Sequence, residues 1–348
     1  MTDEEKHKKF DVVIGNPPYQ DETAGTRSSQ KSIYHLFMDQ SFKIGDLVEL
    51  ITPARFLYDA GDTPSKFNQK ILNSPHFKLL YLALNGKDVF PNTAIEGGII
   101  TWIFGDSVTA NPIHVFIPYP QLKSIYNKVL PDINKNGNLI KIIYPANKFN
   151  LERLYKAFPN AKSQISSHGR ERRLQSNIFK LDTFHDSPNP NDFAIYGVVN
   201  KKRKIKYIQR DFIDTDFTND IFKYKVVLPK SHGPGDFGMP IGTPELAGPN
   251  SGYTYTFIGI GAFDTKVEAV ALDKYIKGKF ARAMLGILKV TQDNTPQKWR
   301  YVPIQDFTDS SDIDWTKSIS EIDQQLYKKY DLSQDEIDFI ESHVKEMD

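Results

Sequence analysis

The sequence predicts an α/β protein: a sheet with crossover helices over residues 1–125, then a second, irregular α+β domain over 126–348. Three observations carry that prediction. Between residues 10 and 120, short apolar runs closed by Gly or Pro alternate with stretches of helical apolar spacing. Strands that alternate with helices favour a sheet built through crossover connections. Beyond about residue 125 the texture changes, and prolines, glycines and polar residues break the hydrophobic pieces into short lengths.

Taken in order, Phe10-Asp-Val-Val-Ile-Gly15 reads as a buried strand running into a loop at two prolines. Ser32 to Lys43 places Ile33, Leu36, Phe37 and Phe42 near helical spacing. Leu47 to Thr52 reads as another buried strand, ended by Pro53. Thr63-Pro64 has the form of a cap and first-turn proline for a helix to about Leu72. Phe77 to Leu84 and Gly98 to Phe104 complete the strands. In the second part, Ser187 to Asp192 and Ser231 to Tyr253 read as flexible stretches. A Thr265-x-x-Glu268 capping box opens a long amphipathic helix to about Lys289, and Ser333-x-x-Glu336 opens another at the C-terminus.

Composition narrows the chemistry. The absence of cysteine excludes disulfides, thiolate zinc sites and a cysteine nucleophile. The eight histidines show no metal-ligand spacing, so no metal site is expected. There is no phosphate-binding G-x-x-x-x-G-K-[ST] loop and no convincing nuclease signature. No apolar run reaches the roughly 18 residues needed to span a bilayer, and the start, Met1 to Lys9, is charged rather than a signal peptide. A cytoplasmic location and no membrane partner are the expectation. The net charge of +1 gives no global field toward nucleic acid, so any such contact must come from local patches. Basic residues bunch at Arg170-Glu-Arg-Arg173 and at Lys201-Lys-Arg-Lys-Ile-Lys206 with Arg210, although such a run also suits a solvated face.

One motif carries chemistry. Asn16-Pro17-Pro18-Tyr19 directly follows the first strand, and ligands of open α/β sheets bind beyond the carboxyl ends of strands. The exocyclic amine of adenine is a poor nucleophile because its lone pair is delocalised into the ring. Two acceptors gripping its N–H bonds favour a more tetrahedral nitrogen and free that lone pair for attack on a methyl sulfonium. The Asn16 side-chain oxygen and the Pro17 carbonyl can be those acceptors, and the diproline holds them in place before the base arrives. Tyr19 offers a flat face to a base that must first leave the duplex. The same tetrapeptide also suits a plain turn after a strand.

The surroundings of the tetrapeptide resemble the gamma-type adenine-N6 DNA methyltransferases of restriction–modification systems, over most of the chain. Val12-Val-Ile-Gly-Asn-Pro-Pro-Tyr19 resembles motif IV of that family, and Ile33-Tyr-His-Leu-Phe37 resembles motif V. Leu47-Val-Glu-Leu-Ile-Thr-Pro53 with Phe56-Leu57 resembles motif VI. Asp88-Val-Phe-Pro-Asn92 with Gly98-Ile-Ile-Thr-Trp-Ile-Phe104 resembles motif VIII. The resemblance implies that Phe37 lies against the adenine ring of the donor, S-adenosylmethionine, and that Phe90 packs the far face of the flipped base. Taken alone, both read as core aromatics. Phe280 to Asp293, Tyr301 to Phe307, Leu326 to Tyr330 and Ile337 to Glu341 are similar to the end of the family's target-recognition region. The implied architecture is a partial Rossmann-like methyltransferase sheet (motifs IV to VIII) followed by a target-recognition domain. In it, Arg170, Arg172, Arg173, Lys201, Lys202, Arg203, Lys204, Lys206, Arg210 and Lys289 would contact double-stranded DNA.

Family members place the donor's Gly-rich loop and ribose-binding acid well upstream of motif IV, where this sequence has only about ten residues. The expectation is therefore a base-flipping and DNA-recognition portion, inactive alone, with a separate chain or segment supplying the donor site. Phe257-Ile-Gly-Ile-Gly261 resembles the donor loop of circularly permuted relatives, but no strand ending in an acidic residue follows it. The alternatives to an enzyme are a non-catalytic, sequence-specific duplex-binding subunit or remnant, and a protein-interaction role with the pocket vestigial.

Overall fold

The structure, a computed structural model, describes residues 8–21, 31–59, 62–93, 95, 97–165, 169–218, 220–233 and 235–347. The charged N-terminal stretch lies outside these up to residue 7. The protein is mixed α/β with three sheets among the described residues. Two compact units are present: Met1–Pro120 with Ile287–Thr291, and Gln121–Gly286 with Gln292–Asp348.

The first unit is built on four strands, β1 (Phe10–Gly15), β2 (Gly45–Pro53), β3 (Phe77–Ala83) and β4 (Ile99–Gly105), in the order β1-β2-β4-β3. β1 runs parallel to β2, with Val12 beside Leu47 and Ile14 beside Glu49. β4 is antiparallel to both β2 and β3. β1, β2 and β3 therefore share one direction, and their carboxyl ends lie at one edge of the sheet. Between β1 and β2 comes α1 (Tyr34–Ile44), which buries Tyr34, Met38 and Phe42, one helical face at a spacing of four. They meet Val48, Leu50, Phe77, Ile100 and Trp102 from the sheet. The Trp102 indole donates to Thr52 Oγ1 at 2.9 Å, satisfying the core's large polar aromatic. α2 (Ser65–Leu72) starts one residue later than its sequence signal, with Pro64 in the cap position and no side-chain cap.

The first strand forms where expected but is not buried. Phe10, Val12 and Ile14 are 44%, 54% and 74% exposed, and Val13 is the residue of β1 that packs against the core. Its edge position goes with this: among the described residues β2 is its one neighbour in the sheet. An apolar run is the same whether both faces of the strand or one are covered, so sequence alone could not separate these cases.

The second unit opens with α3 (Pro120–Asn136), a helix not expected from the sequence. It buries Leu122, Ile125, Tyr126 and Val129 and tolerates Pro131 near its end, where one amide is lost from the ladder. β5 (Ile143–Tyr144), α4 (Leu151–Ala157) and α5 (Ala161–Gln164) follow. The hairpin of β6 (Asp192–Val199) and β7 (Lys202–Gln209) turns on Asn200 and Lys201, both at positive φ, 49° and 62°, as a two-residue turn matching strand twist requires. After β8 (Tyr224–Pro229) and β9 (Glu245–Ala247) come β10 (Ser251–Tyr253) and β11 (Phe257–Phe263). These strands make one sheet in the order β10-β6-β7 and another in the order β5-β11-β8-β9.

The helix expected from Thr265 to Lys289 is two helices. α6 (Lys266–Lys277) starts with the expected capping box, and α7 (Lys279–Gly286) begins after Gly278. The break comes from a carboxylate distant in sequence: Asp323 of α8 (Ile319–Lys329) accepts from the Lys279 and Phe280 amides at 2.8 and 3.1 Å. It thereby caps α7 in place of a continuing turn. A Cβ at Gly278 would stand 2.7 Å from that carboxylate. α9 (Gln334–His343) starts with the expected Ser333/Glu336 box. No helix among the described residues is long and apolar enough to cross a membrane.

Candidate functional site

A cleft of about 800 Å³ opens at the carboxyl ends of β1, β2 and β3 in the first unit, within the roughly 300–1,000 Å³ of ordinary small-molecule sites. Asn16, Pro17, Pro18 and Tyr19 all line it. Ser32 to Tyr34 come from the start of α1, Pro53 and Arg55 from the end of β2, and Phe90 and Thr93 from the turn between β3 and β4. Backbone bonds hold the wall. The Ile33 amide donates to the Tyr19 carbonyl at 3.1 Å, and the Asp21 amide donates to Lys31. On the opposite side the Phe90 amide donates to Gly86 at 2.9 Å.

The Asn16 side chain is exposed rather than folded into the interior. The Tyr19 hydroxyl is buried and turned toward Asn16. Burial pushes its pKa up to about 12, with Asn16 opposing. That contact falls short of a full hydrogen bond, so the hydroxyl has no partner of good geometry among the described residues. The Tyr19 and Phe90 rings meet edge to face, 6.5 Å between centroids and 68° between planes. Tyr34, Arg55 and Asp62 also line the cleft and were not singled out from the sequence. Burial drives the Tyr34 phenol well above its ordinary range, with the Arg55 charge opposing. Tyr34 did sit within Ile33-Tyr-His-Leu-Phe37, so a signal existed. Phe37 lies elsewhere on α1, 43% exposed, and is not part of the cleft wall.

The basic residues do not form one surface. Lys201, Arg203, Lys204 and Lys206 line a second cleft, about 680 Å³, within the second unit, together with Lys180, Lys230 and His232, which sequence reasoning missed. Arg203 is bonded to Glu245 at 2.6 Å and to the Thr243 carbonyl, and Lys206 lies 3.5 Å from Asp186. Lys202 is exposed on β7. Arg170, Arg172 and Arg173 are exposed on one loop, Arg172 paired with Asp214. Arg210 lies 5.1 Å over the Phe193 ring, and Lys289 is 8% exposed with its ammonium on the Thr291 carbonyl. No cluster of three or more His, Asp or Glu suited to a metal occurs among the described residues.

The Phe257-to-Gly261 segment is strand β11 itself, buried and antiparallel to both β5 and β8. Gly259 is required because the Tyr253 hydroxyl occupies the space of a side chain. A donor loop needs a parallel strand that opens into a helix N-terminus, so the glycines here serve packing.

Residues 1–90 match the Eco57I restriction-modification methylase family. The resemblance read from the sequence therefore holds over the segment that contains Asn16 to Tyr19, Phe37 and Phe90. An uncharacterized adenine-specific methylase from Mycoplasma pneumoniae (strain ATCC 29342 / M129 / Subtype 1) is 33% identical over 100 residues, 28% of this chain and 24% of the relative. The chain thus spans about a quarter of the length of that relative. Among solved structures, the type IIG restriction endonuclease BpuSI aligns over 97% of this chain and 55% of its own, at 10% identity and a TM-score of 0.33.

Proposed function

We propose that this chain is the base-holding and DNA-contacting portion of a restriction–modification DNA adenine-N6 methyltransferase. The observation that carries the reading is the exposed Asn16-Pro17 corner on a cleft of about 800 Å³, ample for an everted nucleobase, that is lined by Tyr19 and Phe90. A target adenine leaves the duplex and enters the cleft. One N6–H donates a hydrogen bond to the Asn16 side-chain oxygen and the other donates to the Pro17 carbonyl, which localises the nitrogen lone pair away from the ring. Tyr19 and Phe90 hold the two faces of the base. S-adenosylmethionine, when bound, supplies a methyl sulfonium electrophile. Phe37, exposed on α1, is available to take the donor's adenine ring.

Support for a donor-binding layer beside β1 comes from its open edge and the exposed Phe10, Val12 and Ile14. In that reading the four strands are part of a larger Rossmann-like methyltransferase sheet. A further segment or partner chain supplies the Gly-rich loop, which no described residues here provide.

Transfer of labelled methyl from S-adenosylmethionine to DNA tests the proposal, with the chain alone and supplemented with a donor-binding segment. The expected product is N6-methyladenine in the supplemented reaction, abolished by Asn16→Ala while duplex binding persists. Methylation at cytosine, or full activity in the Asn16 variant, would overturn the assigned role.

A further inference from the structure

The second unit holds two cations on one aromatic ring. Tyr255, between β10 and β11, is 50% exposed, yet its backbone is pinned by its amide donating to Leu174 at 2.7 Å. Lys230 Nζ lies 3.5 Å from its ring centroid and the Arg173 guanidinium carbon 5.4 Å. Neither cation has a carboxylate partner among the described residues, in contrast with Arg172, Arg203 and Lys206 nearby. Both are held from the backbone as well. Lys230 exchanges backbone bonds with Thr256 and Asn294, and Arg173 bridges to Lys148. Lys230 also forms part of the wall of the basic cleft, where Lys180, Lys201 and Lys204 likewise have no acidic partner and Asp186 is the one carboxylate.

Two like charges fixed beside one ring repel each other, and the half-buried lysine feels this directly: burial first, then Arg173, lowers its pKa. An aromatic face recovers part of that cost. An anion between the two cations would relieve the rest. We infer that Arg173 and Lys230, carried on Tyr255, form a phosphate-binding site that clamps one phosphodiester of a nucleic acid strand lying along the Lys180–Lys201–Lys204 cleft. The ring sets the spacing of the two donors, the guanidinium contributes directed N–H groups and the ammonium a point charge. This deepens the reading above, since it rests on DNA being the ligand, and it adds two groups, Lys230 and Tyr255, that lie outside the runs of basic sequence.

Counterion release gives the test. Each phosphate neutralised on B-DNA contributes about 0.9 to the slope of log affinity against log salt. The full chain is titrated with a fluorescently labelled duplex of arbitrary sequence at several salt concentrations. The double variant Arg173→Ala/Lys230→Ala should flatten the slope by about 0.9, one phosphate rather than two. Lys162→Ala, a lysine on α5, serves as the control and should leave the slope as it is. Tyr255→Leu keeps both charges but removes their platform, and should weaken binding with a smaller change in slope. A double variant with the wild-type slope overturns the clamp while leaving DNA binding intact. A wild-type chain that ignores duplex DNA even at low salt overturns the DNA reading and the clamp together.

Discussion

Replacing Tyr19 by alanine should weaken capture of an everted adenine by about fivefold, and the structure says why the effect is not larger. A base between two parallel rings needs about 7 Å between their planes, two contacts of about 3.5 Å. The rings of Tyr19 and Phe90 stand 6.5 Å apart, but 68° from parallel, so they touch each other in the absence of a base. That edge contact is worth about 0.5–1.5 kcal/mol and must be broken, whereas stacking a base returns about 1–3 kcal/mol. The net is about 1 kcal/mol, or roughly fivefold. Tyr19→Phe keeps the ring and removes a buried hydroxyl without a good partner, so it should capture at least as well as the native chain. The assay is fluorescence of 2-aminopurine placed opposite an abasic site, where eversion is least costly. Melting of each variant is followed in parallel because Tyr19 also packs against the core. An alanine variant equal to the native chain would remove Tyr19 from base holding. A phenylalanine variant as poor as alanine would assign the effect to the hydroxyl instead of the ring.

Other consequences concern stability. Lys225 is fully buried and donates to the Lys223 and Ser251 carbonyls. Burial lowers its pKa to about 8, with Asp220 opposing. The unfolded lysine, at its ordinary 10.5, holds its proton more tightly, so the second unit should gain stability as pH rises from about 8 toward 10.5 and lose it as pH falls through 8. Denaturant titrations across that window should show the rise in the native chain and a flat response in Lys225→Met; equal slopes would exclude Lys225 as the source. The methionine should also cost about 1–3 kcal/mol by stranding the carbonyls. Gly259→Ala should destabilise the second unit by about 1–3 kcal/mol through collision with Tyr253. A neutral result would mean that this glycine serves something other than packing. Asp323→Ala should cost about 1 kcal/mol or more by uncapping α7, with the loss visible in helical circular dichroism; unchanged melting would show that α7 does not depend on that cap.

Features written locally were legible in the sequence. The four strands of the first unit fall within two residues of their apolar runs, and both capping boxes singled out in advance open helices. Asn16 to Tyr19 could be placed at a site because it directly follows a strand end, whereas Phe90 was expected there only through the family resemblance; the shared direction of β1 and β3 brings both to one cleft. What failed was set by partners far away in sequence. Asp323 splits a continuous helical pattern from more than forty residues downstream. The exposure of β1 goes with having one neighbour among the described residues, which an apolar hexamer does not encode. α3 had a readable stripe of Leu122, Ile125, Tyr126 and Val129, but Pro120 and Pro131 made that region look irregular. The Arg173–Lys230–Tyr255 cluster joins three separate segments, and only Arg173 belongs to a basic run.

The most direct measurement is the structure of this chain bound to a duplex whose adenine faces an abasic site. The account predicts that adenine outside the helix, its N6 within hydrogen-bond distance of both the Asn16 side-chain oxygen and the Pro17 carbonyl, and Tyr19 and Phe90 swung apart around it. An adenine still stacked in the duplex, with the two rings in their edge contact and Asn16 facing solvent, would contradict it.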